Sequence, residues 1–149
     1  MILVDVNLLV YVVNEESPFH ARTLAWWESQ LQSGRVVGLS WNSVYRFLRV
    51  ITNPKAVPQP LALETAFHRV AEWLTLPQVL VLEPTQAHFD HFQRALKGKA
   101  ASPKLISDAH FAALAAEHNC ELHSTDKDFD KFAGLRWRNP LDIIATPPA

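Results

Sequence analysis

Short apolar runs alternate with amphipathic stretches along this chain of 149 residues. Ile2 to Val6, Val36 to Leu39, Val79 to Leu82 and Glu121 to Ser124 read as strands, with Leu135 to Trp137 as a last short one. The segments between them repeat apolar residues three or four apart. One opens at Ser17-Pro18, a capping residue followed by proline at the first helical position, carries Leu24, Trp27 and Leu31, and stops at Gly34. Ser40 caps a helix from Trp41 to about Thr52, closed by Asn53-Pro54. Leu61 to Leu74 sets Leu63, Phe67, Val70 and Leu74 on one side. Thr85 opens a helix to about Lys97, Lys104 to His118 is helical and alanine-rich, and Asp126 to Phe132 is a short helix. Short apolar strands separated by helices predict an α/β fold: a three-layer α/β/α sandwich around a mainly parallel sheet. No repeat or linker interrupts the pattern, so a single domain over 1–149 is expected.

In such sheets ligands bind beyond the carboxyl ends of the strands. Asp5 ends the first strand, and Asp126 and Asp128 follow the strand at 121–124. Each also suits a helix cap or first helical turn, where the macrodipole favours acids. Asp108 sits among Leu105, Ile106, Ala109, Ala112, Ala113 and Leu114, where a carboxylate is costly without a partner. A buried salt bridge and a metal ion are the two partners to weigh. Gathered at one sheet edge, the acids would raise one another's pKa unless a cation compensated. Mg²⁺ or Mn²⁺ takes such oxygen ligands, binds phosphate and activates water.

Composition narrows the field without deciding it. The single cysteine, Cys120, excludes a disulfide framework within the chain and fits a reducing, cytoplasmic setting. No signal-peptide pattern opens the sequence, and no apolar run reaches the roughly 18 residues a membrane span needs. A net charge of −1 is not that of a general nucleic-acid binder, so contact with RNA would rest on a local basic patch. The chain has no P-loop, GxGxxG or Gly-x-Ser-x-Gly pattern. Its seven histidines lack cysteine partners or an HExxH pattern, so surface histidines are expected over a zinc site.

Three segments resemble the PIN-domain family and its VapC-like toxin ribonucleases. They are ILVDVNLLVY at the start, VGLSWNSVYRFLRVITNP in the middle, and SDAHFAALAAEHNCELHSTDKDF toward the end. The resemblance spans nearly the whole chain, ending in LRWRNPL. It implies an endoribonuclease using Mg²⁺ or Mn²⁺, with Asp5, Asp108 and Asp126 as metal-site acids, Asp128 assisting, and Asn7 and Thr125 hydrogen-bonding behind them. A small antitoxin partner and a homodimer are implied too. One departure stands out: where many PIN domains carry Glu in the middle helix, this chain has Arg46. That favours one metal over two. Arg46 either contacts the scissile phosphate or is a solvated or ion-paired helix residue.

Arg49, Lys55, Lys104, Lys127, Arg136 and Arg138 are basic candidates for the RNA backbone, though each taken singly reads as ordinary solvated surface. The tryptophans read mostly as core, with Trp41 and Trp137 the candidates for stacking on bases. The competing readings are a PIN enzyme of RNA processing or of DNA, a PIN-like RNA- or protein-binding module with weakened catalysis, and a phosphorylatable receiver domain. The last wants paired acids near the first strand, and Asp5 has no acidic neighbour.

Overall fold

In the computed structural model, which describes residues 1–142, five strands form one sheet. They are β1 (Ile2–Val4), β2 (Val37–Leu39), β3 (Val79–Val81), β4 (Glu121–His123) and β5 (Trp137–Arg138). All pair in parallel, in the order β3-β2-β1-β4-β5. The helices are α1 (Val6–Val13), α2 (His20–Gln32), α3 (Trp41–Ile51), α4 (Leu63–Thr75), α5 (His88–Leu96) and α6 (Pro103–Glu117).

Strand alternation divides the interior into two cores. Ile2 and Val4 join Leu8, Leu9, Trp27, Phe47, Val70 and Trp73 from α1 to α4. Leu3, between them, joins Phe111, Leu114, Leu122 and Phe129 beside α6 on the opposite face. The expected three-layer sandwich is therefore present, with the sheet covered on both sides. Gly38 lets β2 pack closely there: a Cβ would stand 2.5 Å from the Leu82 side chain and 2.9 Å from the Ile2 carbonyl.

Several local expectations need correcting. α2 begins at His20, because the Ser17 hydroxyl accepts from the Phe19 amide in a tight turn rather than capping a helix. α4 buries Ala66, Val70 and Trp73, while Leu63 and Phe67 are 50% and 46% exposed. The stripe was misread because Trp73 anchors the helix against Phe47 and Trp27. β3 is an edge strand, not a buried one, and Leu80 faces outward. α5 starts at His88, after a turn in which the Thr85 hydroxyl accepts from the Ala87 amide and donates to Glu117 on α6. The 126–132 segment is a 3-10 turn over Lys127–Lys131 with Asp126 as its cap.

Chain order runs outward from β1 through β2 to β3, then returns to place β4 on the other side of β1. The β1–β4 boundary is thus the topological switch point, where adjacent connections leave in opposite directions and open a crevice.

Candidate active site

Asp5 and Asp126 both lie at the carboxyl side of that boundary, following β1 and β4. Asp5 caps α1: one of its oxygens accepts from the Val6 amide at 2.7 Å and the other from the Ser124 hydroxyl at 2.8 Å. It is 5% exposed. Burial pushes its carboxyl above the ordinary range and Asp108 adds to this, against the hydrogen bonds from Ser124 and Val6 and the charge of Arg46.

Asp108 lies in the second turn of α6 and is also buried. Because α6 runs into β4, its amino-terminal turns sit at the carboxyl edge of the strands, beside Asp126. Asp126 caps the 3-10 turn by accepting from the Asp128 amide at 2.9 Å, which turns Asp128 toward the same place. Asp108, Asp126 and Asp128 each present an oxygen within 4.8 Å of the others. The two alternatives held open for Asp126, a cap and a site acid, are compatible.

A cation of the chain's own already sits among them. The Lys104 ammonium lies 3.0 Å from Asp108, 2.7 Å from Asp126 and 2.6 Å from Asp128. Burial works against its charge, but these carboxylates prevail and hold it above the usual lysine range. The same bond, with help from Lys131, holds Asp128 below the usual carboxylate range.

Ser124 is the residue that sequence reasoning missed. Its hydroxyl donates to Asp5 and accepts from the Asp126 amide at 3.0 Å and the Asn7 side-chain amide at 3.3 Å. It therefore ties both strand-end acids and Asn7 into one network. Thr125, expected in that role, has no described hydrogen bond to the acids and instead lines a separate groove with Tyr11, Phe19 and Arg22. The usable signal was spacing: a serine two residues before Asp126 can accept that residue's backbone N–H.

Arg46 makes no ion pair with an acid among the described residues. Its guanidinium lies 6.0 Å over the Phe111 ring, near enough to Asp5 for its charge to act there. Arg49 is exposed on α3. Trp41, at the carboxyl edge of β2, is 40% exposed and stacks on Tyr45 with centroids 6.0 Å apart. Trp137 is not a free stacking platform, because it packs on Phe129 and its indole donates to Asp130. Arg136 points away from the acids and donates to Asn119 ahead of β4.

The histidines form no zinc centre among the described residues. His88 bonds the Glu117 carboxylate, which also accepts from Thr85, and His110 approaches His88 at 3.2 Å. This polar clip fastens α5, which has no buried residue of its own, to α6. Burial disfavours the Glu117 charge, but bonds from Thr85 and His88 win and hold its pKa below the usual 4.5. A depressed carboxylate contributes stability above its unfolded pKa and loses it as pH falls through the folded value. Glu117→Gln is therefore expected to destabilise by about 1–3 kcal/mol at neutral pH. Thermal melts should show the gap from wild type closing below pH 4.5. A separate cleft of about 360 Å³ lies between α5, α6 and Gly134, with Cys120 in its wall. Burial pushes that thiol up to about 11, so it stays protonated at neutral pH and is no nucleophile.

Carboxylates gathered around a cation at the switch point of a parallel sheet define a small α/β domain built to hold positive charge beside an open crevice. Residues 2–135 match the PIN domain, and the chain belongs to the PIN-domain family. Among its relatives are the ribonucleases VapC37 and VapC33 of Mycobacterium tuberculosis. VapC37 is 39% identical, with 97% of this chain and 100% of the relative aligned. VapC33 is 36% identical over 95% of this chain and 99% of its own. Similar solved structures include VapBC2 of Rickettsia felis bound to a DNA fragment from its promoter, with a TM-score of 0.64 at 16% identity over 93% of this chain and 98% of that one. The sarcin–ricin-loop-cleaving toxin VapC20 of Mycobacterium tuberculosis also has a TM-score of 0.64, at 16% identity over 91% of this chain and 96% of that one.

Proposed function

We propose that this chain is a divalent-metal-dependent endoribonuclease, the toxin of a toxin–antitoxin pair, acting in the cytoplasm as a single domain. The observation that carries the reading is the carboxylate cluster of Asp108, Asp126 and Asp128 beside buried Asp5 at the switch point. Relatives named VapC ribonucleases, aligned over almost the whole chain, support the choice of RNA as substrate. No helix among the described residues is long and apolar enough to cross a membrane.

The donor set fits Mg²⁺ or Mn²⁺. Its ligands are hard carboxylate oxygens, without the thiolates or imidazoles that softer ions favour. The Lys104 ammonium, held by three of the acids, is an observed cationic stand-in. Asp5, Asp108 and Asp126 would hold the ion, with Asp128 assisting. When bound, the ion supplies Lewis acidity toward the phosphate and the attacking water. The chain's own side chains do the rest. Ser124 and the Val6 amide fix the Asp5 oxygens, and Asn7 braces Ser124. Arg46, held against Phe111, carries a charge that meets the phosphodiester, and Arg49 grips the backbone further along α3. Trp41 and Tyr45 offer an exposed aromatic pair on which an unpaired base stacks.

Ser124→Ala is expected to lower cleavage about 10–100-fold while the fold persists, as outer-sphere partners of metal ligands typically do. Single-turnover RNA cleavage beside a thermal melt measures both. A small antitoxin is expected to cover the acidic crevice with a basic side chain, and a homodimer is expected on general grounds. Co-expression with the product of the neighbouring gene tests the partner: neutralised toxicity and a co-purifying complex are expected, and independence of the two proteins contradicts it. A binding-module reading draws only on Arg46, and the presence of Asp5, Asp108 and Asp126 together speaks against it.

A further inference from the structure

We propose that Lys104 is an exchangeable internal counter-ion: its ammonium and a divalent cation compete for the same carboxylate oxygens, so Lys104 sets the metal level at which the site loads. The inference deepens the metal-dependent reading above and rests on it. It is carried by geometry, by the placement of the lysine in its helix, and by the freedom of its stem.

An ammonium has three protons to donate. Lys104 directs them to three different carboxylates, those of Asp108, Asp126 and Asp128, at 3.0, 2.7 and 2.6 Å. These are the acids whose oxygens converge within 4.8 Å, so the lysine and a metal ion cannot both occupy their focus.

Helix physics gives no other reason for this lysine. Lys104 is the second residue of α6, after Pro103 and the Ser102 cap. The amino end of a helix carries partial positive charge and disfavours a cation there. Its partner within the helix, Asp108, stands four residues later, the less favourable order for an i,i+4 pair. The first turn of α6 contains no acid to offset it. The favourable contacts come from the cluster, two of them from another element.

The exchange is physically easy. The Lys104 side chain is 55% exposed, against 8% for Asp108, and its four-carbon stem is flexible. It can swing into solvent without disturbing the core. One positive charge also leaves three carboxylates under-neutralised, although Lys131 touches Asp128 at 3.3 Å from outside. A divalent ion compensates them better. The metal-free cluster is thereby kept partly neutralised until enough metal is present.

A purely structural salt bridge and an exchangeable counter-ion predict opposite signs. Loss of a structural bridge lowers stability and leaves metal affinity unchanged or weaker. Loss of a competitor lowers stability in EDTA but tightens metal binding. The test is Mn²⁺ titration by calorimetry on wild type, Lys104→Met and Lys104→Gln, without RNA, alongside melts in EDTA. Both variants are expected to bind Mn²⁺ about tenfold more tightly or better, tenfold being about 1.4 kcal/mol, and to melt lower in EDTA. Lys104→Arg, which keeps the charge, should stay near wild type. The Gln variant, similar in reach and polarity, carries the comparison should Met compromise folding. Equal or weaker Mn²⁺ binding by the uncharged variants overturns the exchange while leaving the metal site intact. Failure of every protein, wild type included, to bind Mn²⁺ overturns both the exchange and the metal-dependent reading.

Discussion

Asp108→Asn is expected to cut RNA cleavage about a thousand-fold or more while the protein still folds. Asn is nearly isosteric but lacks the charge that holds a cation. A site deprived of its ion loses both the clamp on the phosphate and the activation of water, together worth several kcal/mol, and each 1.36 kcal/mol is a factor of ten. Folding survives because the position keeps an oxygen that Lys104 can still reach, and because one of several mutually repelling carboxylates has gone. Asp108 is a cleaner choice than Asp5. Both partners of Asp5, the Val6 amide and the Ser124 hydroxyl, donate to it, so an amide there would set its NH₂ against one of these donors. The measurement is single-turnover cleavage with added Mg²⁺ or Mn²⁺, paired with circular dichroism and a melt.

Phe111→Ala has the opposite signature: a loss of about 3–5 kcal/mol in stability with no change to any acid. Phe111 is fully buried in the core between α6 and the sheet, edge-on to Phe129 at 6.5 Å and beneath the Arg46 guanidinium. Truncation leaves a cavity where α6 meets the sheet, three residues from Asp108. Against a total stability of about 5–15 kcal/mol this is a large fraction. Urea denaturation should show a much lower midpoint, and Phe111→Leu should recover most of it because the shape change is smaller. Activity of the folded fraction should fall less than in Asp108→Asn.

Much of this was legible in the sequence because the signals were local. Short apolar strands alternating with helices pointed to the parallel sheet, and Ser40 caps its helix in the structure as expected. The strand-end position of Asp5 and the apolar setting of Asp108 pointed to one crevice, although neither residue alone separated a cap or a salt bridge from a metal site. What escaped depended on contacts between distant segments. Thr85 also bonds Glu117 on α6, and Trp73 outcompetes Phe67 for the core, because the partners lie on other elements. Ser124 was passed over for Thr125 because a one-residue step along an extended chain reverses the side chain's direction. Lys104 was read as a surface cation for RNA, since its place among three carboxylates appears only once α6 is packed beside the 3-10 turn.

The most direct test of the central claim is cleavage of a labelled RNA by the purified wild-type chain, free of any partner, in EDTA and then after Mn²⁺ is restored. The account predicts that cleavage stops in EDTA and returns on adding Mn²⁺. Undiminished cleavage in EDTA would contradict it.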